Sequence, residues 1–299
     1  MRVVIGLGGN ALLQRGQSPD VNAQRANIHR VCQAIVPLIK QHQLILTHGN
    51  GPQVGLLALQ AEAYQEVPAY PLDVLGAQTQ GMIGYLLSQE LMNQLPEKWV
   101  VTLLTQVMVD IDDAAFKNPS KFIGPVYTSQ QIEALRAAHS WDFKQDGTYW
   151  RRVVPSPLPR KILEIEMIKQ LVELGALVIC GGGGGIPVVQ QASGCFSGVE
   201  AVIDKDWTTA LLAKEMHADR LLFLTDTTHV FKGWGTSQAT PIKKITVSEM
   251  EKLSFASGSM GPKVQAACAY VRKTGNRAYI GALQEAEVIL AEETGTMIV

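Results

Sequence analysis

Neither charge predominates in this chain: 26 Lys and Arg stand against 27 Asp and Glu, a formal net charge of −1. Binding nucleic acid or a membrane surface requires a basic excess to neutralise phosphates, so the composition argues against both partners and favours a small molecule. Cysteine is scarce and scattered. Cys32, Cys180, Cys195 and Cys268 form no CxxC pair and read as small core residues in a reducing compartment. The six histidines fall in no HExxH spacing, no GxSxG elbow occurs, and no GxxxxGK runs into Ser or Thr. A dedicated zinc site, serine-hydrolase chemistry and a P-loop are therefore unsupported. The longest charge-free stretch, Leu174 to Val199, contains five consecutive glycines, Pro187 and Gln190-Gln191. It reads as a strand entering a glycine loop, not as a membrane helix. Met1-Arg2-Val3-Val4-Ile5 leads directly into a strand without an apolar signal region, which predicts a cytoplasmic protein.

What is present is a repeated grammar of β-branched run, glycine turn and helical pattern. Val3–Leu7 leads to Gly8-Gly9-Asn10, Leu44–Thr47 to His48-Gly49-Asn50-Gly51, Leu177–Cys180 to the five glycines, and Leu221–Thr225 to Asp226. Such alternation over 299 residues predicts a mostly parallel sheet covered by helices, as one large α/β domain or two smaller ones. Helices are expected over 26–41 with a kink at Pro37, then 54–64, 79–93, 162–174, 206–217 and 262–273. Residues from about 110 to 160 are richer in polar, proline and aromatic residues and read as an inserted lid. Within them, Lys117–Pro125 reads as loop and Val153–Pro159 as an extended connection. Arg151-Arg152 beside Tyr149 and Trp150 reads as a surface or lid feature, not an RNA patch.

In parallel sheets ligands gather beyond the carboxyl ends of the strands, where these loops lie. Gly6-Leu7-Gly8-Gly9-Asn10-Ala11 matches the GxGxxA dinucleotide pattern, but the acidic residue expected about 20 positions on is missing. No Asp or Glu occurs between Asp20 and Glu62. Several separate glycine loops, with lysines carried elsewhere, suit an alternative chemistry. Phosphoryl transfer needs alignment and positive charge more than covalent participation. Clustered amides make anion sites, although any one loop is equally satisfied by a tight turn. Asp204-Lys205-Asp206 sets a lysine between two carboxylates where a strand-like run meets a helix, the plainer reading being Asp206 as N-cap. Ser257-Gly258-Ser259-Met260-Gly261-Pro262-Lys263 sets a lysine in the first turn of a helix, against the macrodipole, which points to an anion. Lys121, between Pro119 and Gly124-Pro125, could close over a substrate or simply be solvated.

Together these strings resemble the carbamate kinase family of the amino-acid kinase fold. The resemblance covers almost the whole chain, through Leu7–Ala11, His48–Gly55, Thr105-Gln106-Val107, Lys121–Pro125, Arg152–Pro157, Gly198–Asp206 and Gly258–Lys263. It implies a three-layer α/β/α sandwich with a mostly parallel central sheet, a single domain over 1–299 with a protruding subdomain at about 110–160, and a homodimer. It further implies reversible phosphoryl transfer between carbamoyl phosphate and ADP, giving ATP and carbamate, with Mg2+ carried by the nucleotide and not by protein side chains. On the family's pattern Gly8, Gly9 and Asn10 hold the transferring phosphoryl group, and Gly49, Asn50 and Gly51 face the carbamoyl end. Lys205 and Lys263 neutralise phosphates, Asp206 holds those lysines, and Lys121 reaches in from the lid. Asp226, Met260, Pro262 and Lys263 line the nucleotide. The five-glycine run, Thr228 where relatives often carry an acid, and the stretch Gln190–Ser197 depart from the family's pattern. Two other readings are a same-fold kinase for another carboxylate or amino acid, and a non-catalytic nucleotide-binding regulator.

Overall fold

The structure, a computed structural model, describes every residue except 14–16, 18, 19, 140 and 256–259, and every described side chain except those of Asn10 and Ala138. An eight-stranded sheet forms the middle layer. Its strands are β1 (Arg2–Leu7), β2 (Gln43–His48), β3 (Val100–Thr102), β4 (Leu177–Ile179), β5 (Arg220–Thr225), β6 (Lys244–Ile245), β7 (Arg277–Ala282) and β8 (Thr296–Ile298). Across the sheet they run β6-β8-β7-β5-β1-β2-β4-β3. From β7 to β3 every neighbour is parallel, and β8 reverses direction against β7 at the other side.

Period-two alternation sends each strand into two cores. Val3, Ile5 and Leu7 join Leu44, Leu46, Leu222 and Leu224 on one face. Val4 joins Ile45, Val178, Leu221 and Phe223 on the other. Helices α1 (Val21–Gln41) and α3 (Leu72–Gln94), on either side of α2 (Gly51–Ala63) in the chain, cover the first face. The opposite face is covered by α4 (Ile165–Glu173), α5 (Lys205–Glu215) and α6 (Met260–Thr274). The result is the expected α/β/α sandwich.

Helices α1 and α3 begin well before the sequence predicts, at Val21 and Leu72. Helix α1 starts at Val21 because Asp20 accepts from the amides of Asn22 and Ala23 at 2.9 and 3.0 Å, and it runs on through Pro37 to Gln41. Helix α3 starts at Leu72, where Glu200 from a distant segment accepts the Leu72 amide at 2.8 Å. Lys161–Ile162, at the expected start of α4, is a short strand instead. Three cysteines are core residues as expected, but Cys195 is exposed, because it lies in the turn between strands Ile186–Gln190 and Phe196–Gly198.

A three-stranded antiparallel sheet, Lys121–Tyr127, Tyr149–Val154 and Asp142–Asp146, carries the helix Ser129–Ala138. The segment read as loop up to Pro125 is thus a strand from Lys121 onward. Pro125 is tolerated there because the pairing register shifts between Ile123 and Tyr127, so its missing N–H interrupts no regular ladder. Likewise Val153 and Val154 end a strand. Arg152 stacks on Trp141 at 4.1 Å and Arg151 donates to the Gly124 carbonyl at 3.0 Å, so the paired arginines brace this small sheet. The sheet sits on α2 through Gly55 and Gly124, where a Cβ on Gly55 would overlap the Gly124 backbone. Among the described residues, no helix is long and apolar enough to cross a membrane.

Candidate active site

Because β1, β2, β4 and β5 are parallel, their carboxyl ends deliver Gly8-Gly9, Gly49–Gly51, the glycine run and Asp226 to one edge of the sheet. The first two loops touch. Gly8 donates its amide to the Leu224 carbonyl at 2.9 Å and Gly49 donates to Leu7 at 3.1 Å, so these two amides fasten the loops. A Cβ on Gly49 would lie 3.0 Å from Gly9 Cα, while one on Gly9 or Gly51 would meet nothing within 4 Å. Open backbone is therefore presented at Gly9 and Gly51. The N-cap residue of α2, Asn50, makes no capping bond and instead donates from Nδ2 to Thr79 Oγ1 at 2.8 Å. Among the described residues no side chain caps the first-turn amides of this 13-residue helix, the arrangement that receives anions.

The glycine run does something different from the phosphate cradle that glycine loops predict. Gly181 N donates to Thr105 Oγ1 at 2.9 Å, Gly184 N to Gly181 O at 3.1 Å and Gly185 N to Gly182 O at 3.0 Å. Of these three amides, one is spent on Thr105 and two within the loop. A Cβ on Gly182 would strike His48, one on Gly183 would strike Asn50, and one on Gly184 would strike the Ile203 carbonyl. Gly183 and Gly184 also have φ of +65° and +99°, where side chains are strained. The run clasps the β2 loop on one side and the approach to α5 on the other. Gln80 secures it, donating to the carbonyls of Gly182 and Thr105 at 3.1 and 3.2 Å.

Between these loops lies a Lys–Asp–Lys cluster. Lys263 Nζ donates to Asp206 Oδ2 at 3.0 Å, and Lys205 Nζ lies 2.8 Å from Asp206 Oδ1. All three side chains are buried, with residue exposures of 7% for Lys205, 4% for Asp206 and 9% for Lys263. The Lys205 contact takes at most one of the three donors of a buried ammonium, and among the described residues no other partner takes the rest. Burial lowers the proton affinity of Lys205 and Lys263 adds to this, while Asp206 opposes it. Burial alone would raise the Asp206 carboxyl, but the two ammonium groups outweigh it and hold the carboxyl at about 2. Two cations against one anion leave a buried net charge of +1, which calls for an anionic ligand. Lys205 Nζ also rests 5.8 Å from the centre of the Phe223 ring. That ring fits because Gly6 has no Cβ; one there would come within 2.8 Å of it.

The helix cap is Asp204, not Asp206. Asp204 Oδ1 accepts the Asp206 amide at 2.9 Å, and Oδ2 takes an ion pair from Lys121, which the small sheet holds against it. The anion that offsets Lys263 at the N-terminus of α6 is, in part, Asp206 itself. His48 is buried beside the cluster. Burial pushes its imidazole down to about 4, against the opposing hydrogen bond to Gly49 O, so it is neutral near pH 7.

The structure thus brings Lys205, Asp206 and Lys263 into contact and sets Lys121 against Asp204 at the start of α5. Asp226 is exposed at the end of β5, with Thr225 Oγ1 3.1 Å from its Oδ1, and Met260 and Pro262 are half-buried at the start of α6. The Asn10 side chain and the loop Ser257-Gly258-Ser259 lie outside the described residues. Sequence reasoning missed Asp204 as cap and partner of Lys121, and Gln80 as the anchor of the glycine run. The Asp-Lys-Asp string was a signal for the first; nothing local marks the second.

The model of the amino acid kinase family matches residues 1–282. A carbamate kinase of Rhizobium meliloti is 52% identical over 301 aligned residues, covering 100% of this chain and 93% of that protein. One of Escherichia coli K12 is 51% identical over 296 residues, covering 99% and 98%. The solved carbamate kinase of Giardia lamblia bound to AMP-PNP superposes with a TM-score of 0.91 at 41% identity, covering 100% of this chain and 98% of that one. A UMP kinase from Bacillus anthracis, at 18% identity and a TM-score of 0.58, shares the fold alone. With the parallel sheet, the paired glycine loops and the buried lysine cluster already in view, the chain belongs to the carbamate kinases of the amino acid kinase family.

Proposed function

We propose that this protein is a carbamate kinase that transfers a phosphoryl group reversibly between carbamoyl phosphate and ADP, giving carbamate and ATP. The bond from phosphorus to the carbamoyl oxygen breaks, its electron pair leaves with carbamate, and a β-phosphate oxygen of ADP forms the new bond to phosphorus. The acceptor oxygen is already an anion, so no general base is needed. The observation that carries this reading is the buried Lys205–Asp206–Lys263 cluster, in which cations are plentiful and the carboxylate is locked in its charged form.

In this reading Gly9 and Asn10, with Gly8 fastening their loop, hold the transferring group, and the uncapped start of α2 with Gly49, Asn50 and Gly51 faces the carbamoyl end. Lys205 and Lys263 neutralise the phosphate oxygens. Asp206 fixes where they stand. Lys121 completes the charge from a lid over about 110–160, and Asp226, Met260 and Pro262 border the nucleotide. The converging side chains are cationic and Asp206 is engaged by both lysines, a donor set that fits a nucleotide bringing its own magnesium. Bound there, magnesium would spread the negative charge of the ADP or ATP phosphates.

We also infer a cytoplasmic homodimer. Tyr85 and Met92, on one side of α3, and Trp99 and Leu104, flanking the outermost strand β3, are exposed apolar side chains that a second copy would cover. ATP formation from ADP and carbamoyl phosphate with magnesium, compared between the parent protein and Lys205→Ala, tests the reaction; the mass of the particle in solution tests the dimer.

A further inference from the structure

We propose that Asp204 is a positioning residue for the phosphoryl transfer: it holds the lid's Lys121 over the start of α5 and thereby couples the lid to the Lys205–Asp206–Lys263 cluster. This rests on the reading that Lys121 acts at the transferred phosphoryl group. Each oxygen of the Asp204 carboxylate has a separate task. Oδ1 accepts the Asp206 amide at 2.9 Å and so fixes the first turn of α5, from which Lys205 and Asp206 project. Oδ2 takes the Lys121 ammonium, across 83 residues of chain. A single carboxylate therefore sets the position of the lid lysine and of the two cluster residues relative to each other.

The chemistry of an ammonium group makes this arrangement productive. Lysine carries three donors; one is committed to Asp204, which leaves two for phosphoryl oxygens without releasing the clasp. A long side chain held in one geometry beforehand has less freedom to lose when the substrate arrives. The clasp is partly buried, with side-chain exposures of 31% for Lys121 and 16% for Asp204, so water screens it less than a surface pair. A second tie keeps the lid strands in place against the same stretch of chain. Arg152 Nη2 lies 3.6 Å from Glu200 Oε1, while Glu200 Oε2 accepts the Leu72 amide at 2.8 Å. Ile123 of the strand that begins with Lys121 pairs with Arg152, so both ties act on one strand pair. Glu200 anchors the lid to α3, and Asp204 anchors it to the cluster.

The test is a double-mutant cycle on the full-length protein, with kcat, KM for each substrate and Tm measured for Asp204→Asn, Lys121→Ala and the double variant. Asparagine caps a helix as well as aspartate but lacks the charge that holds the lysine. The expected result is an unchanged Tm, a kcat lowered about tenfold in Asp204→Asn with KM for ADP unchanged, and no further loss when the same change is made in the Lys121→Ala protein. Should Asp204→Asn lower Tm, Asp204→Ser, which also caps, repeats the cycle. Full activity in the Asp204 variant, or an equal loss in the presence and absence of Lys121, would overturn the proposal. Full activity of Lys121→Ala itself would instead overturn the role of Lys121 on which the proposal rests.

Discussion

Lys263 donates to Asp206 at 3.0 Å from a helix that begins 54 positions further along the chain than Asp206, and Lys205 meets the other oxygen of the same carboxylate. The Asp206 carboxylate meets both buried ammonium groups at this spot. Asp206→Asn should therefore cost stability as well as rate. Removing one partner of a buried ionic cluster destabilises by about 3–5 kcal/mol, and the misplaced lysines should lower kcat on the order of a hundredfold. Calorimetry and steady-state kinetics check the two halves separately; a variant with parent Tm and parent kcat would remove Asp206 from the site.

Gly55 and Gly124 form the seat of the small three-stranded sheet on α2, the lid of the proposed reaction. Gly55→Ala places a methyl group where the Gly124 backbone now lies, and backbone cannot give way as a flexible side chain would. The expected outcome is a lid displaced from α2, seen as faster proteolysis within 121–154 and a lower kcat/KM for carbamoyl phosphate. Gly51→Ala, where a Cβ meets nothing within 4 Å, should leave the lid protected from protease. Equal protection of the Gly55 variant would show that the close approach is not needed.

Acid should destabilise the protein in two stages. His48 has a folded value depressed from 6.5 to about 4, so below about 6.5 the unfolded chain takes up a proton that the folded one refuses. Stability is then lost as pH falls from about 6.5 to about 4, by roughly 3 kcal/mol. Asp206 is also depressed, to about 2, so its contribution is present above about 4 and is lost as pH falls through about 2. Chemical denaturation at closely spaced pH values should show the first slope in the parent and its reduction in His48→Gln. An identical slope in both would place the titration elsewhere.

Much of the architecture is written locally. The apolar runs at Val3–Leu7 and Leu221–Thr225 are buried on both faces, so they show as continuous apolar stretches, and Gly8-Gly9 after the first and Asp226 after the second mark the ends where the site forms. Lys205 and Lys263 were legible because each stands at the start of a helix beside small or acidic residues. What the local string alone leaves open depends on distant partners. Lys121 looks like a solvated loop residue until the strand Tyr149–Val154 pairs with it and Asp204 receives its charge. The glycine run looks like an anion cradle until His48, Asn50 and Ile203 are seen filling the space that side chains would occupy. The early start of α3 is set by Glu200, which no window around Leu72 contains.

The most direct measurement is the rate of ATP formation from ADP and carbamoyl phosphate, with magnesium, by purified parent protein and by Lys205→Ala. The buried lysine with unspent donors predicts robust formation in the parent and a loss on the order of a hundredfold or more in the variant, with ADP binding retained in both. Folded parent protein that binds ADP yet forms no ATP, or a variant as fast as the parent, would contradict it.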